Sequence, residues 1–203
     1  MDLTSNFFEI FRLPLSYEVD KPLLDERYLI LQRQFHPDRY AGRSAQEQRL
    51  AVQSSAAINQ AYDVLCSPVK RAQYLLEQSL LELRYVDMDV DNGADIGNGE
   101  QTIADTEFLM EQMQLREELI EVRSVAEPFA ELDILEQKIT GNFKALEQEF
   151  AAAYTLGELA RAGDALVKMQ FYSKLQTELE DLEDILENYL EDNLEDNLED
   201  NPI

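Results

Sequence analysis

The chain has 203 residues, of which 45% are hydrophobic, enough apolar material to bury a core in one large or two small domains. It has no run of eighteen apolar residues and begins with no basic leader, so the sequence predicts neither a membrane span nor a targeting peptide, and we expect a cytoplasmic protein. The formal net charge of −25 repels phosphates, which argues against nucleic acid as a partner.

The charge divides the chain into two parts. Residues 1–78 contain nine Lys or Arg against ten Asp or Glu, whereas residues 79–203 contain eight against thirty-two. Long segments have an apolar period of 3.6 residues, and no valine-rich or isoleucine-rich alternation is present. We therefore predict an all-α protein of two domains.

Four helices are predicted in the first part, a domain of residues 1–84. A short helix spans about residues 4–11, with Thr4 or Ser5 as its cap. The second begins at DKPLL, where Asp20 is the cap, and ends before Pro37. Its apolar stripe consists of Leu24, Tyr28, Leu31 and Phe35.

The third and fourth helices have clear start signals. Ser44 and Glu47 form a capping-box pattern, and Ser67 followed by Pro68 predicts the next start. The third helix should pack on the second as an antiparallel hairpin through its own apolar positions, which are Leu50, Ile58, Ala61, Tyr62 and Leu65.

The second part begins with an acidic segment, residues 85–103, that reads as a linker because it is rich in Asp, Gly and Asn. Residues 104–190 predict a three-helix bundle with helices over 104–126, 128–155 and 157–190. Pro128 begins the middle helix, Gly157 lies near the following turn, and Gly141 indicates a kink or a close approach. Residues 191–203 contain LEDN repeats and predict a frayed helix or an acidic tail.

His36 is the only histidine, and it lies in the stretch QRQFHPDRYAG between the second and third helices. No second histidine and no GxSxG or HExxH pattern accompanies it, so a catalytic assignment has no support. A metal-dependent hydrolase that uses His36 with the abundant carboxylates remains an alternative. The tripeptide HPD can also simply end a helix, because Pro37 stops it and Asp38 caps the next turn.

The setting of this tripeptide between two antiparallel amphipathic helices resembles the J-domain family. Members of that family are not enzymes, and they stimulate ATP hydrolysis by chaperones of the DnaK class. The resemblance implies that the loop binds such a chaperone through His36, Pro37 and Asp38. Arginines that steer towards an acidic partner would assist it, namely Arg27, Arg33 and Arg39.

The segment DTEFLMEQMQLREELIEV forms a helix with two apolar surfaces. Phe108, Leu115, Leu119 and Val122 make one stripe suited to a bundle core. The other surface mixes apolar and acidic side chains: Leu109, Met110, Met113, Glu117, Ile120 and Glu121. Either both surfaces are core, or the second is an adaptable protein-binding patch, for which methionine is well suited.

EFLMEQMQLREEL, together with LQRQFHPDRYA, INQAYDVLCSPVKRAQYLL and KMQFYSKLQTELEDLE, resembles the HscB-type co-chaperones of iron-sulfur cluster biogenesis. The resemblance implies an L-shaped molecule without a bound cofactor. Its bundle would bind the cluster scaffold protein, IscU, and its J-domain would bring that scaffold to an HscA-type chaperone. The scaffold-binding residues would be Leu109, Met110, Met113, Glu117, Glu121 and Phe171.

Two features qualify this resemblance. Gln114 stands where an acidic residue is expected, and the paired cysteines of animal members are absent, which favours a bacterial form. The alternative is a J-domain protein with a different client, in which the second surface of the helix completes the core.

Overall fold

The computed structural model of the chain describes residues 6–86 and 106–199, with side chains described up to residues 83 and 189. Every regular element in these ranges is helical, which confirms the all-α class. The seven α-helices of this described part are α1 Phe7–Ile10, α2 Lys21–Phe35, α3 Ala45–Cys66, α4 Pro68–Val86, α5 Thr106–Glu121, α6 Pro128–Thr155 and α7 Leu159–Glu199.

The described residues form two compact units. Residues up to 86 and Ala151–Ala162 make the first, and residues 106–150 and 163–199 make the second. The turn between α6 and α7 thus belongs to the first unit, where the hydroxyls of Tyr154 and Ser79 lie 3.1 Å apart. Across both described ranges, no helix combines the length and hydropathy that a membrane crossing needs.

Side chains close to the helix starts determine where most helices begin. The Asp20 carboxylate accepts from the N–H of Leu23 at 3.0 Å, and Ser44 and Glu47 form the predicted capping box. Pro68 and Pro128 are the first residues of α4 and α6, as predicted. The prediction for α1 was wrong: Asn6 is its cap, and its carboxamide oxygen accepts from the N–H of Glu9.

The core of the first unit lies between α1, α2, α3 and α4. The buried row of α3 follows alternating steps of three and four residues, which places Ala51, Ser54, Ile58, Ala61 and Leu65 inside. Leu50 lies one position away from this row and is half exposed, so it is not part of the buried core. The other large buried side chains include Phe8, Phe11, Leu24, Leu75 and Leu76.

The second unit is formed by α5 and most of α6 and α7, and its buried side chains come from all three helices. They include Phe108, Leu115, Leu135, Ile139, Phe150, Met169, Tyr172 and Leu175. The helix α6 ends in a Schellman motif, in which the N–H groups of Glu158 and Gly157 donate to the carbonyls of Ala153 and Tyr154. This motif requires the positive φ of Gly157 (+73°), so α7 begins at Leu159 and not at residue 157.

Other helix ends also differ from the prediction. The helix α5 ends at Glu121 and continues as the 3-10 turn Val122–Ser124. The helix α7 continues past the predicted end at residue 190 to Glu199, and no proline interrupts the chain before Pro202. The predicted linker lies outside the described residues apart from residues 85 and 86, which belong to α4, and residues 200–203 of the predicted tail lie outside them too.

Gly141 lies inside α6 without a close neighbour. A Cβ atom added there meets no atom within 4 Å, so the close approach suggested by the sequence is not present.

Candidate functional site

The HPD tripeptide lies on the surface of the first unit, where α2 ends. His36 has an extended backbone, and Pro37 begins the 3-10 turn Pro37–Tyr40. The Nδ1 atom of His36 accepts a hydrogen bond from the N–H of Asp38 at 3.3 Å and lies 3.6 Å from the Asp38 carboxylate. The side chains of His36 and Asp38 are 52% and 89% exposed. The turn therefore presents the other imidazole nitrogen and a carboxylate to solvent.

Side chains that follow the tripeptide hold it against the end of α2. The Nη1 group of Arg39 donates to the backbone carbonyl of Arg33 at 3.1 Å, and the hydroxyl of Tyr40 donates to the backbone carbonyl of Gln34 at 3.4 Å. Carbonyls in the last turn of a helix have no partner within the helix, so these bonds cap α2. Arg39 therefore braces the loop, while the side chain of Arg33 is exposed on α2.

Arg27 holds α1 to α2. Its Nη1 group donates to the carbonyls of Phe11 at 2.7 Å and of Arg12 at 2.6 Å. These carbonyls lie just after α1, where Arg12 has a φ of +54°. The side chain that the sequence assigned to a chaperone contact thus satisfies two backbone groups of its own domain.

An aromatic pair joins α2 to α3, and its two residues lie on the stripes through which the sequence predicted these helices to pack. The rings of Tyr28 and Tyr62 stack with centroids 3.9 Å apart. The hydroxyl of Tyr62 donates to Asp25 at 2.9 Å, and that of Tyr28 donates to Asn59 at 3.2 Å. Hydrogen bonds with Cys66 and Asp25 raise the pKa of the Tyr62 hydroxyl. Residue numbers fall on α3 as they rise on α2 in these contacts, which shows that the hairpin is antiparallel.

A second candidate surface lies on α5, and we call it the α5 face. Its apolar side chains are largely exposed: Leu109 by 46%, Met110 by 66%, Met113 by 67% and Ile120 by 72%. The opposite stripe is core, with Phe108, Leu115 and Val122 buried and Leu119 partly buried. The interpretation in which both surfaces are core is therefore wrong. The α5 face consists of Leu109, Met110, Met113, Glu117, Ile120 and Glu121, and both glutamates are exposed.

Phe171 on α7 is half-buried, and its ring packs edge-on against two other rings. The centroids of Phe108 and Tyr172 lie 5.5 and 5.4 Å from that of Phe171. Edge-to-face packing of this kind stabilises a ring by about 0.5–1.5 kcal/mol per pair beyond the buried area. Phe108 also forms part of the core of α5, so Phe171 is anchored to the helix that carries the α5 face.

A polar network lies behind these rings. The side-chain amide of Asn142 donates to Glu111 and to the Tyr172 hydroxyl, both at 3.0 Å. Burial and the hydrogen bond with Glu111 raise the pKa of Tyr172. The network joins α5, α6 and α7, which limits how far the anchor of Phe171 can move.

Gln114, where an acidic residue was expected, is held by a neighbour on α5. Its amide donates to Glu118 at 2.7 Å, and Glu118 also accepts from Lys138 of α6 at 2.9 Å. The carboxylate that Gln114 contacts is therefore paired with a cation, and the exposed negative charge of the α5 face comes from Glu117 and Glu121.

The structure does not assemble a metal-binding cluster in the part of the chain that it describes. No group of three or more His, Cys, Asp or Glu side chains there is close enough to hold an ion.

Comparison with known proteins points to one family. Residues 104–180 match the family model of the HSCB C-terminal oligomerisation domain. A co-chaperone protein HscB homolog from Vibrio atlanticus is 40% identical over 183 residues, covering 88% of this chain and 97% of that relative. A homolog with the same description from Aeromonas hydrophila is 39% identical over 179 residues, covering 88% and 96%.

Solved structures agree with this. Chaperone HscB from Vibrio cholerae superposes with a TM-score of 0.76 at 36% identity, covering 90% of this chain and 99% of that one. Human co-chaperone protein HscB gives a TM-score of 0.74 at 27% identity, covering 89% and 83%. These structures share the arrangement of a J-domain and a helical C-terminal domain. The chain therefore belongs to the HscB co-chaperone family.

Proposed function

We propose that this protein is a non-enzymatic co-chaperone of iron-sulfur cluster assembly in a bacterial cytoplasm. Its second unit binds an IscU-type scaffold protein. Its HPD loop stimulates the ATPase of an HscA-type chaperone of the DnaK class, which promotes transfer of the cluster to acceptor proteins. The chain itself needs no cofactor for this role. Membership of the HscB family supports the proposal.

The exposed α5 face is the observation that carries the scaffold assignment. Leu109, Met110 and Met113 lie in the first two turns of α5 and leave about half or more of their surface in water. An unbranched thioether side chain adapts to the shape of a partner, and burying such a side chain contributes about 1.5–3 kcal/mol. Glu117 and Glu121 flank this apolar surface and favour a partner with basic groups beside its own apolar patch.

The HPD turn carries the chaperone assignment. The side chains of His36 and Asp38 are exposed on a turn that the Arg39 hydrogen bond holds against the end of α2. A turn held in this way needs little further ordering when a partner binds. In our proposal Arg33 contacts the chaperone directly. Arg27 and Arg39 contribute by holding the surrounding backbone in place.

The first experiment measures steady-state ATP hydrolysis by the HscA-type chaperone with this protein, with and without the scaffold. We expect stimulation that rises further with scaffold and is lost in His36→Gln. Stimulation that needs His36 but does not respond to the scaffold would retain the chaperone role and contradict the choice of client. The absence of any stimulation would contradict the central proposal.

The second experiment tests the α5 face. Leu109→Ala, Met110→Ala and Phe171→Ala are each expected to weaken scaffold binding by about tenfold, which corresponds to roughly 1.4 kcal/mol per contact. Ile134→Ala is a matched control, because Ile134 is a similarly exposed aliphatic residue on α6. Equal losses in the control, or a collapse of the melting temperature in the Leu109 variant, would contradict the assignment.

A further inference from the structure

Arg116 lies in the middle of the apolar row on α5. Steps of four, three and four residues connect Leu109, Met113, Arg116 and Ile120, which places them within about 60° of one another around the helix. Leu109, Met113 and Ile120 are exposed apolar side chains, so a cation in this row calls for an explanation.

The partner of Arg116 is the ring of Phe171. The guanidinium carbon lies 5.9 Å from the ring centroid, within the range of a cation–π contact. Phe171 is held edge-on by Phe108 and Tyr172, and it remains half-buried. Among the described residues, no carboxylate forms an ion pair with Arg116. The aromatic ring is therefore the group that this cation faces.

The ring contacts of Phe171 and its contact with Arg116 have different consequences. Phe108 and Tyr172 fix where the ring sits in the second unit, because both are buried. Arg116 is exposed and adds a contact from the row of α5 that a partner would cover. A ring held in one orientation before binding loses less conformational entropy when a partner packs on it.

We infer that Arg116 is a positioning residue of the scaffold-binding surface, which it serves by holding the Phe171 ring in the orientation that the partner meets. This inference rests on the proposed function, since it assigns a role within the same site. In this role the residue acts through the ring, and the experiment below separates that role from a contact of its own with the scaffold.

A double-mutant cycle tests the inference. Scaffold binding to the full chain is measured by calorimetry for the wild type, Arg116→Gln, Phe171→Leu and the double variant. An exposed cation–π contact is small, so we expect Arg116→Gln to weaken binding by about two- to fivefold. In the Phe171→Leu background the same change should have no further effect, because leucine offers no aromatic face. Arg116→Lys should retain most of the affinity.

Two further measurements separate positioning from loss of structure. The melting temperature of Arg116→Gln should equal that of Lys144→Gln, an exposed charge-matched control on α6. The aromatic NMR resonances of Phe171 in the unbound protein should move in Arg116→Gln and stay in place in Lys144→Gln.

Three outcomes of these binding measurements would overturn the inference. An equal loss from Arg116→Gln in both backgrounds would mean that Arg116 contacts the scaffold itself. Wild-type affinity in Arg116→Gln, together with weakened binding in Phe171→Leu, would overturn the inference alone. Undiminished binding in Phe171→Leu and in Leu109→Ala, or no scaffold binding by the wild type, would overturn the proposed function along with it.

Discussion

Replacing Arg27 by alanine tests whether this side chain supports the first unit or contacts a chaperone. The guanidinium donates to the carbonyls of Phe11 and Arg12 at 2.7 and 2.6 Å. The Phe11 contact is partly buried and the Arg12 contact is exposed, so water replaces the second bond but not readily the first. A hydrogen bond from a charged donor contributes about 1.5–3 kcal/mol, and we expect Arg27→Ala to destabilise the first unit by about 2 kcal/mol.

That loss should be visible by differential scanning calorimetry of the full chain. For a unit of this size, about 2 kcal/mol corresponds to a fall on the order of 10 °C in melting temperature. Hydrogen exchange should speed up in α1 and in the first turns of α2, and remain unchanged in α5. Arg33→Ala is the control, because its exposed side chain should alter stability by less than about 0.5 kcal/mol while weakening ATPase stimulation.

The opposite pattern would show that Arg27 contacts the chaperone and does not support the first unit. If Arg27→Ala has the same melting temperature as the wild type but fails to stimulate the ATPase at a temperature where it is fully folded, Arg27 contacts the chaperone. Equal destabilisation by Arg27→Ala and Arg33→Ala would also contradict the reasoning, since Arg33 donates no comparable pair of bonds to backbone carbonyls.

Two further predictions concern stability in the second half of the chain. Gly157 has a φ of +73°, which alanine adopts only with strain, so Gly157→Ala should lower the free energy of unfolding by about 1 kcal/mol. Gly141 lies in a helix with open space around it, so Gly141→Ala should raise the free energy of unfolding by about 1 kcal/mol. Urea denaturation measures both changes, and shifts of the same sign would contradict this prediction. Burial opposes ionisation of Glu118, but hydrogen bonds from Lys138 and Gln114 outweigh it and hold its pKa below the usual 4.5. This stabilisation is present above the unfolded-state pKa and is lost as the pH falls through the folded-state pKa. The wild type should therefore exceed Glu118→Gln in stability near neutral pH, and that advantage should shrink as the pH falls below about 4.5; an advantage that stays constant in acid would contradict it.

Helix starts were predictable because the interactions that set them are local. The carboxylate of Asp20 and the hydroxyl of Ser44 bond to N–H groups three residues ahead, and Pro128 needs no such bond at its position. The start of α7 was missed by two residues because only the observed φ of Gly157 shows that the chain is left-handed there. Asn6 was missed as a cap because Thr4 and Ser5 offer the same chemistry one or two residues earlier.

The roles of the arginines were not predictable in the same way. Arg27 and Arg33 lie six residues apart on one helix, and both read as surface cations in the sequence. Arg27 donates hydrogen bonds to carbonyls fifteen and sixteen residues earlier in the chain, and no local sequence pattern predicts these bonds. The cation–π contact of Arg116 with Phe171 was missed for the same reason, since the two side chains are far apart in sequence.

The sequence by itself determined the helical class, the family resemblance, the position of the HPD tripeptide and the presence of two apolar surfaces on α5. Only the tertiary structure decided which of those surfaces is covered. Periodicity places Phe108 and Leu109 on different sides of α5, but burial depends on α6 and α7, which supply the covering side chains from tens of residues away. The packing of the second unit buries Phe108 and leaves Leu109, Met110 and Met113 about half or more exposed.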